Sequence, residues 1–223
     1  MRRTLSQYLT VTGTYWGFTL SDGALRILVL FHFFNLGYSP FTLALLFLMY
    51  EAAGIITNLG GGWLATRFGI PRMLLLGLSM QVLGLMFLSC LDPRFGPVLS
   101  VIWVVVAQGI AGLAKDITKT ASKSAIKVVK IDEGEGLFRW VAWFTGSKNA
   151  MKGFGFFLGG VMLTTIGFRS GLWLMAGLLG LLAVVLVFTL PPKLGAGVSS
   201  RTIKEFLSKS PAINTIALAR IFL

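Results

Sequence analysis

Lys115, Lys119, Lys123 and Lys127 recur every four residues. In a helix, successive members of such a series turn by only about 40° and share one face. Lys148 and Lys152 repeat the spacing further along, with Asn149 beside them. A lysine ammonium is a compact point charge with three donors, suited to phosphate or carboxylate. The acids that can answer these lysines are Asp22, Glu51 and Asp116. Asp22 and Arg26 are four residues apart and can pair on one helix face, as can Asp116 and Lys119 at a spacing of three. Glu51 has no partner in its own segment, and needs Arg26, a lysine from another segment, or a proton. The chemistry open to this set is electrostatic: holding an anion, or exchanging a proton on a carboxylate. No nucleophile–base pair, metal-ligand spacing or phosphate-cradling glycine loop accompanies it, so neither an enzyme nor a cofactor or metal is expected. His32 and Cys90 stand alone and are expected to be packed or interfacial residues.

The elements that must position these charges follow from composition. The chain has 223 residues, 55% hydrophobic and only 13% charged, with Lys+Arg 20 against Asp+Glu 8 and a net charge of +12. Soluble domains carry about 25% charged residues. The mean hydropathy is +0.81. Disorder is excluded by the apolar content, and a disulfide scaffold by the single cysteine. A nucleic-acid partner is not expected, because such a protein adds basic charge to an ordinary polar surface. A polytopic, all-α membrane protein remains.

Crossing a bilayer takes about 20 mostly apolar residues. Six segments qualify: residues 12–35, 41–66, 73–91, from 98 to beyond 115, 137–166 and 171–190. Pro40 opens the second and Pro191-Pro192 stops the sixth. Residues 193–210 are polar, and a new apolar run, 213–223, begins after Pro211. The expected organisation is a six-helix bundle over 1–192, a cytoplasmic connector over 193–212 and the start of a seventh span over 213–223.

Basic residues divide unevenly between the flanks. Arg2, Arg3, Arg67, Arg72, Lys123, Lys127, Lys130, Arg139, Lys193, Arg201, Lys204 and Lys209 fall on one side, and Arg94 and Arg169 on the other. The positive-inside rule places the first group, and the N-terminus, in the cytoplasm. With that orientation Asp22, Glu51 and Lys148 lie near mid-depth, Lys152 one turn further out, and Lys115 within the membrane. Lys119 sits near the inner boundary, and Lys123 and Lys127 beyond it. A charge at the centre of a span costs at least ~2.5–3.5 kcal/mol, which makes it a functional candidate. Two mid-membrane lysines with no acid in their own helix need an outside counter-charge, and an anionic substrate is the simplest. Lys115, Lys119, Lys148, Lys152 and Arg26 together suit a multiply charged anion such as a phosphorylated metabolite.

Six spans, a basic connector and a seventh span resemble the N-terminal half of a twelve-helix major facilitator, whose substrate site lies between two six-helix halves. The loop Gly62-Trp-Leu-Ala-Thr-Arg67-Phe-Gly69-Ile-Pro-Arg72 resembles the gating-loop signature of that superfamily through Gly62, Arg67, Gly69 and Arg72, with Thr66 where the family has aspartate. Gly146, Gly155 and Gly159 resemble part of the glycine pattern in span five of the antiporters, although packing of small residues explains them equally. Longer strings resemble the organoarsenical-efflux branch: Tyr15-Trp-Gly-Phe-Thr-Leu-Ser-Asp-Gly-Ala-Leu-Arg26, Phe47-Leu-Met-Tyr-Glu51, Gly112-Leu-Ala-Lys-Asp-Ile-Thr-Lys119, Ser122-Lys-Ser-Ala-Ile-Lys127 and Thr145-Gly-Ser-Lys-Asn-Ala-Met-Lys-Gly153. That resemblance implies a secondary active efflux permease of the plasma (inner) membrane that exports 1-arseno-3-phosphoglycerate and confers arsenate resistance. It also implies a functional link to glyceraldehyde-3-phosphate dehydrogenase, which makes that compound when arsenate replaces phosphate. Two other readings stay open: an organophosphate:phosphate antiporter, and a non-transporting six-helix scaffold or subunit.

Overall fold

The computed structural model describes residues 2–54, 57, 68–128, 135–192 and 194. Among these the chain is helical throughout. Helix α1 (Arg2–Asn35) has no proline to interrupt it and stops at Gly37, whose φ of 84° only glycine adopts without strain. The Tyr38 N–H closes that end on the Phe33 carbonyl at 3.2 Å. Helix α2 (Pro40–Leu46) starts where Ser39 accepts from the Thr42 N–H and Pro40 fills the first turn. Helix α3 (Ile70–Ser89) follows Gly69, at φ 81°, with Pro71 in its first turn. Helix α4 (Pro97–Val128) opens on a proline, and α5 (Glu135–Thr165) ends before Gly167, at φ 83°. Helix α6 (Phe168–Thr189) ends ahead of Pro191-Pro192.

Among the described residues six helices therefore stand at the positions of the six expected spans, and four stretches are long and apolar enough to cross a membrane: Ser6–Asn35, Ile70–Ser89, Pro97–Ala125 and Phe168–Thr189. Helix α5 has the length, at 31 residues, but is not among the four. Lys148, Asn149 and Lys152 break its apolar run. The second span, expected over 41–66, is interrupted within its described part. A turn at Phe47, whose N–H reaches both Ala44 and Leu45, separates α2 from a helical stretch over 48–54. The connector, apart from residue 194, and the run 213–223 lie outside the described residues.

Helix α1 is the hub. It packs most extensively on α5 and also touches α4 and α6, while α3 lies between α4 and α6. Phe18, Leu28, Phe33, Leu46, Tyr50, Leu74 and Leu78 fill one continuous core. Trp173, Leu181 and Phe188 point away from that core on α6, an outward apolar face that hydrocarbon covers without cost.

Candidate functional site

Three helical segments bring six of the predicted charges together: Asp22, Arg26, Glu51, Lys115, Asp116 and Lys119. Glu51 divides its carboxylate between two cations: Oε1 lies 2.6 Å from Arg26 on α1, and Oε2 lies 3.4 Å from Lys115 on α4. The same two cations flank the ring of Tyr50, with the Arg26 guanidinium 4.1 Å and the Lys115 ammonium 4.0 Å from its centroid. The Tyr50 hydroxyl donates to Asp22, and both residues are buried. Asp116, also buried, takes Lys119 at 3.2 Å and has Lys115 at 4.0 Å. Glu51 is different, with a side chain 60% exposed.

The backbone fixes this arrangement. Gly112 on α4 sits directly against the Tyr50 carbonyl, where a Cβ would overlap the main chain. That contact sets the distance between Tyr50-Glu51 and Lys115, one helical turn beyond Gly112. On the other side of α1, Gly155 and Gly159 of α5 lie against the backbones of Leu20 and Ala24, and Gly23 of α1 lies against the Lys152 carbonyl. Two helices in backbone contact hold the base of the Lys152 side chain close to Arg26.

Lys148 and Lys152 are partly buried, and neither joins an ion pair among the described residues. Lys152 lies 5.7 Å from the Phe156 ring centroid, and its charged neighbours are Arg26, Asp22, Lys115 and Glu51. The charged neighbour of Lys148 is Lys119. Helices α4 and α5 make little direct contact, and α1 packs against both. Arg26, Lys115, Lys119, Lys148 and Lys152 thus outnumber Asp22, Glu51 and Asp116. An exposed carboxylate ringed by cations has no place against hydrocarbon, so this face needs water or protein over it.

Two sequence expectations are refined here. Asp22 and Arg26 share a helix face but form no ion pair. Tyr50 takes the carboxylate of Asp22, and Arg26 reaches Glu51 instead. Glu51, expected to find one partner, finds two. Asp116 does lie on Lys119, and Asn149 is exposed. In the loop that resembles the gating signature, Gly69 caps α3 and Arg72 is exposed, whereas Gly62 and Arg67 lie outside the described residues. Lys123 is exposed, and the side chain of Lys127 lies outside the described part. His32 stacks on Phe168 at 3.9 Å, and Cys90 is exposed at the end of α3.

Tyr50 was not legible as a site residue, since an aromatic in an apolar span reads as core. The same holds for Trp16, whose indole N–H donates to Ser147 at 2.9 Å one residue before Lys148. A cavity of about 630 Å³ opens elsewhere, where α1 and α3 end and α4 and α6 begin, lined by His32, Tyr38, Phe168 and Arg169 among others. No member of the charged cluster lines it.

The profile of the Major Facilitator Superfamily matches residues 10–223. Among solved structures, a point mutant of the peptide transporter POT in complex with sulfate is similar at TM-score 0.64 and 21% identity, covering 95% of this chain and 42% of that one. The peptide transporter POT in complex with sulfate gives TM-score 0.58 and 22% identity, covering 98% of this chain and 43% of that one. At such identities the likeness is one of fold, and the chain spans less than half the length of these transporters. No curated protein matches it. With the profile covering nearly the whole sequence and the helices superposing on a solved member of the fold, the chain belongs to the major facilitator superfamily.

Proposed function

We propose that the chain forms part of a secondary active transporter that exports a multiply charged organic anion across the plasma membrane, with its N-terminus in the cytoplasm. The observation that carries this reading is the pair Lys148 and Lys152: two partly buried lysines on α5, with charged neighbours on α1 and α4 and no carboxylate ion pair among the described residues. Lys115, Lys119 and Arg26 extend the basic surface, and Asn149 adds a hydrogen-bonding group. An anion arriving among them repays part of the cost of holding these cations out of water. Asp22, Glu51 and Asp116 supply the carboxylates through which proton coupling or charge pairing is arranged, and Gly62, Arg67, Gly69 and Arg72 supply the gating loop.

Among such anions, 1-arseno-3-phosphoglycerate fits best. It bears an arsenate and a phosphate with no compensating positive charge, and the strings around Asp22, Glu51, Lys119, Lys127 and Lys148 resemble those of organoarsenical-efflux permeases. Glyceraldehyde-3-phosphate dehydrogenase then supplies the cargo. Arsenate tolerance tests this directly. Arsenate-sensitive cells that make the dehydrogenase gain tolerance when they also make this protein, and lose the gain with Lys148→Ala. No gain in the presence of both proteins sinks the arsenical assignment. An organophosphate:phosphate antiporter is the second reading, favoured by the same unpaired lysines. Counterflow of labelled phosphate in proteoliposomes distinguishes it.

A further inference from the structure

Resting on that reading, we propose that Glu51 is a built-in stand-in for the cargo. Its carboxylate occupies an anion site made by Arg26 and Lys115, and an anionic group of the cargo takes the site by displacing it.

The geometry is that of an anion site already filled. One oxygen of Glu51 goes to Arg26 at 2.6 Å and the other to Lys115 at 3.4 Å, so two helices each contribute a cation to one carboxylate. A phosphate or arsenate presents the same pair of oxygens, with a third to spare. The cations do not depend on Glu51 for their position. Both rest on the Tyr50 ring, and Tyr50 is held by Asp22 through its hydroxyl and by Gly112 through its backbone. Exposure decides which member can leave. The side chains of Arg26 and Lys115 are 23% and 20% exposed, against 60% for Glu51. The acid covers the cations from the open side and can swing away without disturbing the core.

The exchange replaces one anion by another, so neither state strands a half-buried cation without a partner. Lys152 is a further charged neighbour of Arg26, Asp22, Lys115 and Glu51, and it forms no ion pair among the described residues.

Binding of inorganic phosphate to the purified protein in lipid nanodiscs tests this, with Glu51→Gln, Glu51→Asp and Lys148→Ala beside the unaltered protein. Glutamine keeps the shape and removes the competing charge, so the Kd for phosphate falls by about fivefold or more. Aspartate is too short to span both cations and gives an intermediate Kd, which preserves the test if Glu51→Gln folds poorly. An unchanged or higher Kd in both Glu51 variants overturns the inference, because Glu51 would then serve to hold the cations in place. If Lys148→Ala still weakens binding in that case, the anion-transport reading survives. If phosphate binds no form of the protein, both fall together.

Discussion

The Tyr50 hydroxyl donates to a carboxylate oxygen of Asp22, tying the segment after α2 to α1 where both side chains are buried. Arg26 and Lys115 lie against the ring that this bond helps to anchor. Tyr50→Phe keeps the ring but removes the donor, leaving Asp22 without that partner at a cost of about 1–3 kcal/mol. Thermal unfolding in detergent is expected to show a lower midpoint for Tyr50→Phe, and an unchanged midpoint would mean that the bond contributes nothing.

The lysines of α5 should separate from those of α4 by their effect on stability. Lys148→Ala breaks no ion pair among the described residues, so its unfolding midpoint is expected to stay at the unaltered value while transport falls by about tenfold or more, equivalent to ~1.4 kcal/mol. Lys115→Ala removes a partner of Glu51 and is expected to lose both stability and transport. Equal loss of stability in the two variants would contradict the assignment of Lys148 to cargo.

Close approach of α1 and α5 rests on glycine. Gly155→Ala places a methyl group against the Leu20 main chain and forces the helices apart, at about 1–3 kcal/mol. Gly153→Ala meets no atom within 4 Å and is the matched control, expected to be neutral or slightly stabilising through helix propensity. Comparable yields and melting points for the two variants would show that the contact is not needed.

Orientation has its own test in Cys90, the single cysteine of the chain, exposed at the end of α3. With the N-terminus in the cytoplasm, Cys90 lies outside, near Arg94. A membrane-impermeant maleimide applied to intact cells then labels the protein and fails to label Cys90→Ser. Labelling only after permeabilisation would reverse the topology.

The helices were legible because a bilayer demands long apolar runs, and Pro40, Pro97 and the Pro191-Pro192 pair mark where they start and stop. The turn at Phe47 was not legible, since no glycine or proline announces it. Charge positions could be read as well, because Asp22, Glu51 and Lys148 stand out against apolar neighbours. Their partners could not. Spacing favours the local pair Asp22–Arg26, and only the packing of Gly112 on the Tyr50 backbone brings Glu51 and Lys115 within reach and frees Arg26 for Glu51. Tyr50 stayed hidden for a related reason. A buried aromatic ring becomes a platform for cations only once two other helices deliver them.

Uptake into inside-out membrane vesicles tests the anion path most directly. With glyceraldehyde-3-phosphate dehydrogenase, glyceraldehyde 3-phosphate, NAD+ as the oxidant and arsenate outside, vesicles carrying the protein are expected to accumulate arsenic together with organic phosphate, and vesicles carrying Lys148→Ala are not. Equal accumulation by both, or none by either, would contradict the account.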